Sequence, residues 1–214
     1  MQRIRIQYEK GEELQYIGNL DLHKVWERTF RRAQIQLAYT MGFHPQPRIH
    51  QACPLPLGFT SVAETLDFWC NSDETLEEFK IKLNRALPPG IIVISLSSIP
   101  LNHPPLQALV IASEYCVSLS TETDMAIIKE NIERTNLSEH CIRERRGKQY
   151  DLRLLLKILR ISDTNPYCIE MVLSTLPGAT GRPEEVLEVL GINPYIVDIK
   201  RKTLIFSETT EKQI

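Results

Sequence analysis

Four basic side chains fall on one face of a predicted helix near the start of the chain, where together they could bind an anion. They are Lys24, Arg28, Arg31 and Arg32. Arginine suits phosphate best, because its planar guanidinium donates two parallel hydrogen bonds. Phosphate contacts give affinity and salt dependence but select no sequence. The alternative interpretation is a solvated helix face, in which Glu27 pairs with Arg31 four residues further on.

A rigid polar loop follows this helix, with the sequence GFHPQPR at residues 42–48. Each proline removes a backbone donor and fixes φ, so the segment cannot be regular helix or strand. We expect Arg48 to contact phosphate. We expect a specific recognition surface to be presented by Gly42, Phe43, His44 and Gln46.

The turn of a hairpin predicted over residues 141–159 carries a second basic cluster. A β-ribbon with a basic tip can enter a nucleic-acid groove, and Tyr150 next to the tip offers a stacking surface. A polar turn is the alternative interpretation. The complete set of residues predicted to bind nucleic acid is Lys24, Arg28, Arg31, Arg32, Arg48, Arg145, Arg146 and Lys148.

Three histidines near the first basic element raise the question of catalysis. His23, His44 and His50 could supply an acid–base pair for RNA cleavage, or ligate a metal. No nucleophile motif and no suitably spaced carboxylate accompanies them, and structural histidines are the alternative interpretation. The loop at residues 178–183 precedes a predicted helix but lacks the Walker A and GxGxxG patterns. The sequence therefore predicts no catalytic residue, no metal site and no cofactor.

Composition and cysteine spacing narrow the class of protein. The 214 residues are 43% hydrophobic and carry a formal charge of −2, which suits a globular protein without a global attraction to nucleic acid. The five cysteines are widely spaced and form no CxxC pair, so we expect reduced thiols in the cytoplasm and no iron–sulfur cluster. No run approaches the roughly 18 apolar residues of a membrane span, and no apolar signal segment opens the chain, so we expect no membrane partner.

The basic stripe depends on a helix that we predict over residues 21–34, with Asn19 or Asp21 as its N-cap. The apolar residues of this segment recur at helical spacing and share one buried face. They are Leu22, Val25, Trp26, Thr29, Phe30 and Ala33. Burial of this face would turn the basic stripe towards solvent.

Around this helix, hydrophobic periodicity predicts the order β-α-β-β-α-β of a ferredoxin-like unit. The predicted strands cover residues 3–9, 48–55, 63–70 and 91–97, and the second helix covers residues 74–87. Residues 1–99 form this first unit, residues 100–107 a Pro-rich linker, residues 108–206 a second and embellished unit, and residues 207–214 a frayed tail. The predicted fold class is α+β, with two ferredoxin-like units in tandem.

Several motifs resemble those of the radical-SAM-linked domain family of unknown function. They are GNLDL at 18–22, ERTFRRA at 27–33, GFHPQPR at 42–48, PLPLG at 54–58 and RPEEVL at 182–187. The chain departs from that family's pattern at Asn19, where the family often carries histidine. The resemblance implies a partner, because members accompany or are fused to cobalamin-binding radical SAM proteins. It implies no reaction.

Together, the residues and the resemblance predict a non-catalytic accessory or substrate-recognition protein that works with a radical SAM enzyme and binds RNA. One alternative is a protein–protein adaptor, whose basic helix docks on an acidic face of that partner without binding RNA. The other is a metal-independent ribonuclease that uses His44 or His23, an analogy at the level of the fold.

Overall fold

The computed structural model describes residues 1–176 and 178–207, and the tail expected at 208–214 lies outside them. The described chain has a mixed α+β fold with mostly antiparallel strands. It divides into two compact units. Unit 1 contains residues 1–110, and unit 2 contains the described residues from Ile111 onwards.

Unit 1 has the predicted order β-α-β-β-α-β, followed by one short helix. Its strands are β1 (Gln2–Lys10), β2 (Ile49–Gln51), β3 (Thr60–Cys70) and β4 (Ile91–Ile99). Its helices are α1 (Asn19–Arg32), α2 (Leu76–Ala86) and α3 (Leu106–Leu109). The strands pair in the order β2-β3-β1-β4, and each of these pairs is antiparallel.

An aromatic cluster attaches α1 to the sheet of unit 1. The Trp26 ring lies 4.8 Å from the Tyr8 ring of β1, and the Phe30 ring lies 4.6 Å from the Phe68 ring of β3. The rings of Trp26 and Phe30 are fully buried, and Leu22 on the same face of α1 is buried as well. The buried face of α1 is therefore the one that the apolar spacing predicts, and the basic face is left towards solvent.

The predicted N-cap of α1 is wrong. Helix α1 begins two residues earlier than predicted, and Gly18 is its N-cap instead of Asn19 or Asp21. The Gly18 carbonyl accepts the first helical hydrogen bond, from the amide of Leu22. Helix α2 is capped by Thr75, whose hydroxyl accepts from the backbone amide of Glu78 in a capping box.

A buried ionic cluster lies among the odd-numbered side chains of β1 and β3. Asp67 is 0% exposed and accepts hydrogen bonds from both Arg3 and Arg5. Arg3 also donates to the carbonyls of His103 and Pro104. Because these carbonyls belong to the segment predicted as a linker, the cluster holds that segment against unit 1.

Unit 2 contains more short strands. They are β5 (Val110–Ser118), β6 (Ile142–Arg145), β7 (Lys148–Asp151), β8 (Leu156–Ile161), β9 (Cys168–Leu176), β10 (Ala179–Thr180) and β11 (Asp198–Phe206). Its helices are α4 (Met125–Leu137) and α5 (Pro183–Val189). The strands pair in the order β10-β9-β5-β11, and β8 also pairs with β9. Strands β6 and β7 form a separate two-stranded ribbon, called here the β6-β7 ribbon.

The predicted hairpin over residues 141–159 is wrong in its extent. Its turn lies where predicted, with Arg146 and Gly147 at φ 53° and 73°, as a tight hairpin turn requires. The ribbon ends at Asp151, whose carboxylate accepts from the amide of Arg153 and begins a 3-10 turn. That turn separates β7 from β8, and β8 pairs with β9 instead.

Cys116 of β5 and Cys168 of β9 are joined by a disulfide, so the expectation of reduced thiols is wrong for this pair. Ser118 lies opposite Cys168 in the pairing of the two strands, which places both cysteines on the same face of the sheet. The other cysteines, Cys53, Cys70 and Cys141, are free. In the part of the chain that the structure describes, no helix is long and apolar enough to span a membrane.

Replacing Asp67 by asparagine is expected to destabilise unit 1 by about 3 kcal/mol, because two guanidinium groups lose their buried counter-charge. Both tryptophans of the chain, Trp26 and Trp69, lie in unit 1, so their fluorescence reports its unfolding in urea. Asp73→Asn is the matched control, since Asp73 is exposed. Equal urea midpoints for the two variants would show that the buried cluster adds no stability.

Candidate functional site

An open pocket of about 710 Å³ lies beside the exposed face of α1 and is called here the α1 pocket. Its lining residues are Lys24, Glu27, Arg28, Arg31, Ile35, Gln36, Leu37, Tyr39 and Pro47. Three of the four basic residues predicted on α1 therefore meet at one concave site. The segment after the helix and the end of the following loop complete its wall.

The way α1 ends explains how one short segment forms both sides of the pocket. Gln34 adopts a left-handed conformation at φ 56°. The amide of Gln34 donates to the Arg31 carbonyl, and the amide of Ile35 donates to the Phe30 carbonyl. These are the two hydrogen bonds of a Schellman motif, which reverses the chain at a helix end. Gln36 and Tyr39 therefore line the same pocket as α1.

The predicted recognition loop projects from the wall of the pocket. The amide and hydroxyl of Thr40 bond to the backbone of Gln46 and close the base of the loop, and Tyr39 pairs with Pro47 below it. The tip between them is solvent-exposed, and it consists of Met41, Gly42, Phe43, His44 and Pro45. Phe43 has no burial at all, since its relative exposure is 101%. The loop therefore presents an aromatic ring beside a basic pocket.

Ion pairs leave most of the positive charge of the α1 pocket available. Glu27 pairs with His23, with 3.2 Å between the imidazole Nε2 and a carboxylate oxygen, and does not make the pair with Arg31 that its spacing allows. Lys24 pairs with Asp21 in an exposed contact. Among the described residues, the guanidinium groups of Arg28 and Arg31 have no hydrogen-bond or ion-pair partner. Two guanidinium groups in one pocket thus lack a counter-ion.

Two other predicted phosphate ligands lie away from the pocket and have partners in unit 1. The guanidinium of Arg32 donates to the Ala86 carbonyl from both Nε and Nη2, at 3.1 and 2.7 Å, and so caps the end of α2. The guanidinium of Arg48 lies 4.5 Å from the centre of the Trp69 ring, a cation–π contact. Both side chains hold elements of unit 1 together.

The three histidines do not meet. The His50 ring packs edge-on against the Trp69 ring, and burial, followed by the charge of Arg48, lowers the pKa of His50. His23 pairs with Glu27, and His44 lies at the exposed loop tip. Within residues 1–176 and 178–207, no group of three or more His, Cys, Asp or Glu side chains could hold a metal ion.

The second basic element is attached to α5 of unit 2. Arg145 donates to the Glu185 carboxylate from Nε and Nη2, and its Nη1 donates to the Thr180 carbonyl at 3.1 Å. Its guanidinium also lies 4.7 Å from the centre of the Tyr150 ring. Arg146 and Lys148 remain exposed at the turn. Of the three residues predicted at this tip, one therefore belongs to a structural contact.

The acidic residues of α5 that pair with the β6-β7 ribbon are missing from the sequence predictions, although the sequence contains a signal for them. Arg143 and Arg145 alternate on one face of β6, while Glu185 and Glu188 lie three residues apart on α5. The pairs Arg143–Glu188 and Arg145–Glu185 join these faces. Matching charge spacing indicates that two elements can pair, but it cannot show which elements fold together.

Glu185→Gln is expected to weaken the ribbon contact by about 1–2 kcal/mol at neutral pH, because it removes a charge-assisted hydrogen bond. Burial acts to raise the pKa of Glu185, but hydrogen bonds from Arg145 and Tyr150 outweigh it and the pKa lies below its ordinary value of 4.5. The stabilisation is therefore complete above about pH 4.5 and is lost as the pH falls through the lower folded pKa.

Amide hydrogen exchange in residues 142–151, corrected for intrinsic rates, measures this local stability between about pH 7 and pH 3. The difference between the parent protein and Glu185→Gln should shrink as the solution becomes acidic. Glu188→Gln is the matched control and should have a smaller effect, because Glu188 is about half exposed. A difference that stays constant with pH would contradict this account.

The family of the chain is shown by its sequence. A family model described as an uncharacterized protein conserved in bacteria (DUF2344) matches residues 3–183. That range includes α1, the loop at its end and the β6-β7 ribbon. No curated protein matches the chain. A match over most of the length decides membership, and the chain belongs to the DUF2344 family of uncharacterized bacterial proteins.

Proposed function

We propose that this protein is a non-catalytic accessory protein that binds RNA at the α1 pocket and works in the cytoplasm with a radical SAM enzyme. One observation carries the RNA part of the proposal. Arg28 and Arg31 line one concave site, and neither has a counter-ion among the described residues. An anionic ligand would supply the missing charge.

The arrangement of charge in the pocket favours a polyanion over a single ion. Lys24, Arg28 and Arg31 stand at positions i, i+4 and i+7 of α1, a stripe about 10 Å long at a rise of about 1.5 Å per residue. A chain of phosphates can contact several points of such a stripe at once. Each contact releases counterions, which makes the affinity depend on salt.

The exposed aromatic loop favours RNA over other polyanions. Phe43 is fully exposed, and Tyr39, which lines the pocket, is 56% exposed. Proteins that bind single-stranded RNA combine a basic surface with aromatic rings on which bases stack. A sulfated or phosphorylated polymer without bases would use the cations and leave these rings in water.

The strand orders support the inference that both units are ferredoxin-like. Unit 1 has the order β2-β3-β1-β4. If the first, second, third and fourth strands of unit 2 are β5, β8, β9 and β11, their order is β8-β9-β5-β11, which is the same. The β6-β7 ribbon and β10 are then additions to the common pattern. Split β-α-β units of this kind occur in many RNA-binding proteins, an analogy at the level of the fold.

The double variant Arg28→Ala/Arg31→Ala is expected to bind single-stranded RNA about tenfold or more weakly, because two phosphate contacts are lost. The slope of log affinity against log salt should fall in magnitude by about 1.4, at about 0.7 per phosphate contact on a single strand. Fluorescence anisotropy with a labelled oligonucleotide, across a series of salt concentrations, measures both quantities.

The matched control is Arg85→Ala/Lys129→Ala, which removes the same charge from exposed positions outside the pocket. If the control weakens binding as much as the pocket variant, the attraction comes from surface cations in general and not from the α1 pocket. An unchanged affinity and salt slope in the pocket variant would overturn the proposal. Cleavage of the oligonucleotide that disappears in His44→Ala would instead identify a ribonuclease.

The radical SAM partner rests on the resemblance of the sequence motifs alone, and it needs a separate test. The protein purified from its own host, with and without nuclease, should retain a radical SAM protein and, without nuclease, a defined RNA. A radical SAM protein retained with no enriched RNA would favour the adaptor. Recovery of RNA without any radical SAM protein would contradict the proposed partner but would be consistent with the proposed RNA binding.

A further inference from the structure

We infer that the α1 pocket holds an unpaired nucleotide whose base carries an amino group at C4 of a pyrimidine or C6 of a purine, as cytosine and adenine do. This inference rests on the proposed function, because it names the kind of RNA that the pocket takes. Three features of the pocket carry it. They are its shape, its exposed aromatic rings and the single carboxylate among its cations.

The shape of the pocket suits a nucleotide and not a duplex. A volume of about 710 Å³ lies within the range of sites that enclose small molecules. Duplex RNA is recognised across its wide and shallow minor groove, by contacts to sugar and phosphate. Its bases are stacked on one another, so they offer no free face to Tyr39 or Phe43. An unpaired base offers both a ring face and a hydrogen-bonding edge.

The carboxylate of Glu27 gives the pocket a preference among bases. Glu27 stands one residue from Arg28 and four from Arg31, inside a lining that is otherwise cationic or neutral. The Glu27 carboxylate repels a phosphate that the arginines bind. A part of the ligand other than the phosphate must therefore lie next to Glu27. An ionised carboxylate only accepts hydrogen bonds. A neutral donor is the group that fits there.

The exocyclic amino group of a base is such a donor. Glutamate accepts from the N4 amino group of cytosine, and the N6 amino group of adenine presents the same chemistry. Uracil carries a carbonyl oxygen at the corresponding position, so a uracil bound in the same orientation would direct that oxygen at the carboxylate with no proton between them. Two acceptors held against each other leave both without a donor, which costs free energy. The pocket should therefore disfavour uracil.

Two neighbours complete this recognition. The imidazole Nε2 of His23 lies 3.2 Å from Oε1 of Glu27 and so holds one carboxylate oxygen, which leaves Oε2 to a ligand. The Gln36 side chain lines the same pocket, and its amide can both donate and accept. The base would then be read by Glu27 and Gln36, while Tyr39 contacts its face. Phe43, at the loop tip, is placed to stack on an adjacent base.

The test compares labelled nonamers of cytidine, adenosine and uridine with a duplex of equal length, by fluorescence anisotropy at one salt concentration. We expect the cytidine and adenosine oligomers to bind about three- to tenfold more tightly than the uridine oligomer, the equivalent of one hydrogen bond. The duplex should bind more weakly than either. Phe43→Ala should weaken the single strands about fivefold or more and leave the duplex unchanged.

The variant Glu27→Gln isolates the role of the carboxylate. Removing a negative charge raises the affinity for every RNA, so the ratio between cytidine and uridine oligomers is the informative quantity. That ratio should fall to about one, because the amide can donate to uracil as well as accept from cytosine. Glu77→Gln on the exposed face of α2 removes the same charge and should leave the ratio unchanged.

The failure of this inference can be distinguished from that of the proposed function. Binding that depends on Arg28 and Arg31 but is equal for all three homopolymers would overturn the base preference and keep the RNA proposal. If the duplex binds more tightly than the single strands, the inference that the pocket takes an unpaired nucleotide is wrong. If no RNA binds in a way that depends on the two arginines, the proposed function itself is wrong.

Discussion

The packing of Trp26 and Phe30 against the sheet is the constraint on which the candidate site depends. These two rings fix the rotation of α1 about its own axis, because they fill the space beside Tyr8 and Phe68. Once that rotation is fixed, every side chain on the opposite face is fixed with it. The basic stripe is therefore a consequence of where the large aromatic residues were placed, and a shift of one residue would bury a charge.

The sequence predicted the local features of the site well and its long-range partners poorly. The buried face of α1 follows from a spacing that one helix imposes, and the non-helical loop follows from its prolines. Arg32 and Arg145 behave differently, because their partners lie 54 and 40 residues away along the chain. No local pattern indicates that Ala86 or Glu185 will fold next to them. The Cys116–Cys168 disulfide was not predicted for the same reason, because its two cysteines lie 52 residues apart along the chain.

If the strands of the two units correspond as proposed, both units carry their additional segments at the same point of the chain order. In unit 1, the loop with Phe43 at its tip lies between the first helix and the second strand, α1 and β2. In unit 2, the β6-β7 ribbon lies between α4 and β8. This connection can lengthen without disturbing the pairing of the strands on either side. Both additional segments contain basic residues. Their position in the chain order and their composition would therefore predict the same role for the loop and for the β6-β7 ribbon.

Charge pairing separates the two additions. An anion that reached Arg145 would have to displace Glu185, at the expense of charge-assisted hydrogen bonds worth about 1.5–3 kcal/mol each. An anion at Arg28 or Arg31 displaces only water, since neither side chain has a partner among the described residues. The same residue type thus stabilises the fold at one addition and is available to a ligand at the other. Whether an arginine is available to a ligand therefore depends on whether the fold brings a carboxylate within hydrogen-bonding distance of its guanidinium group.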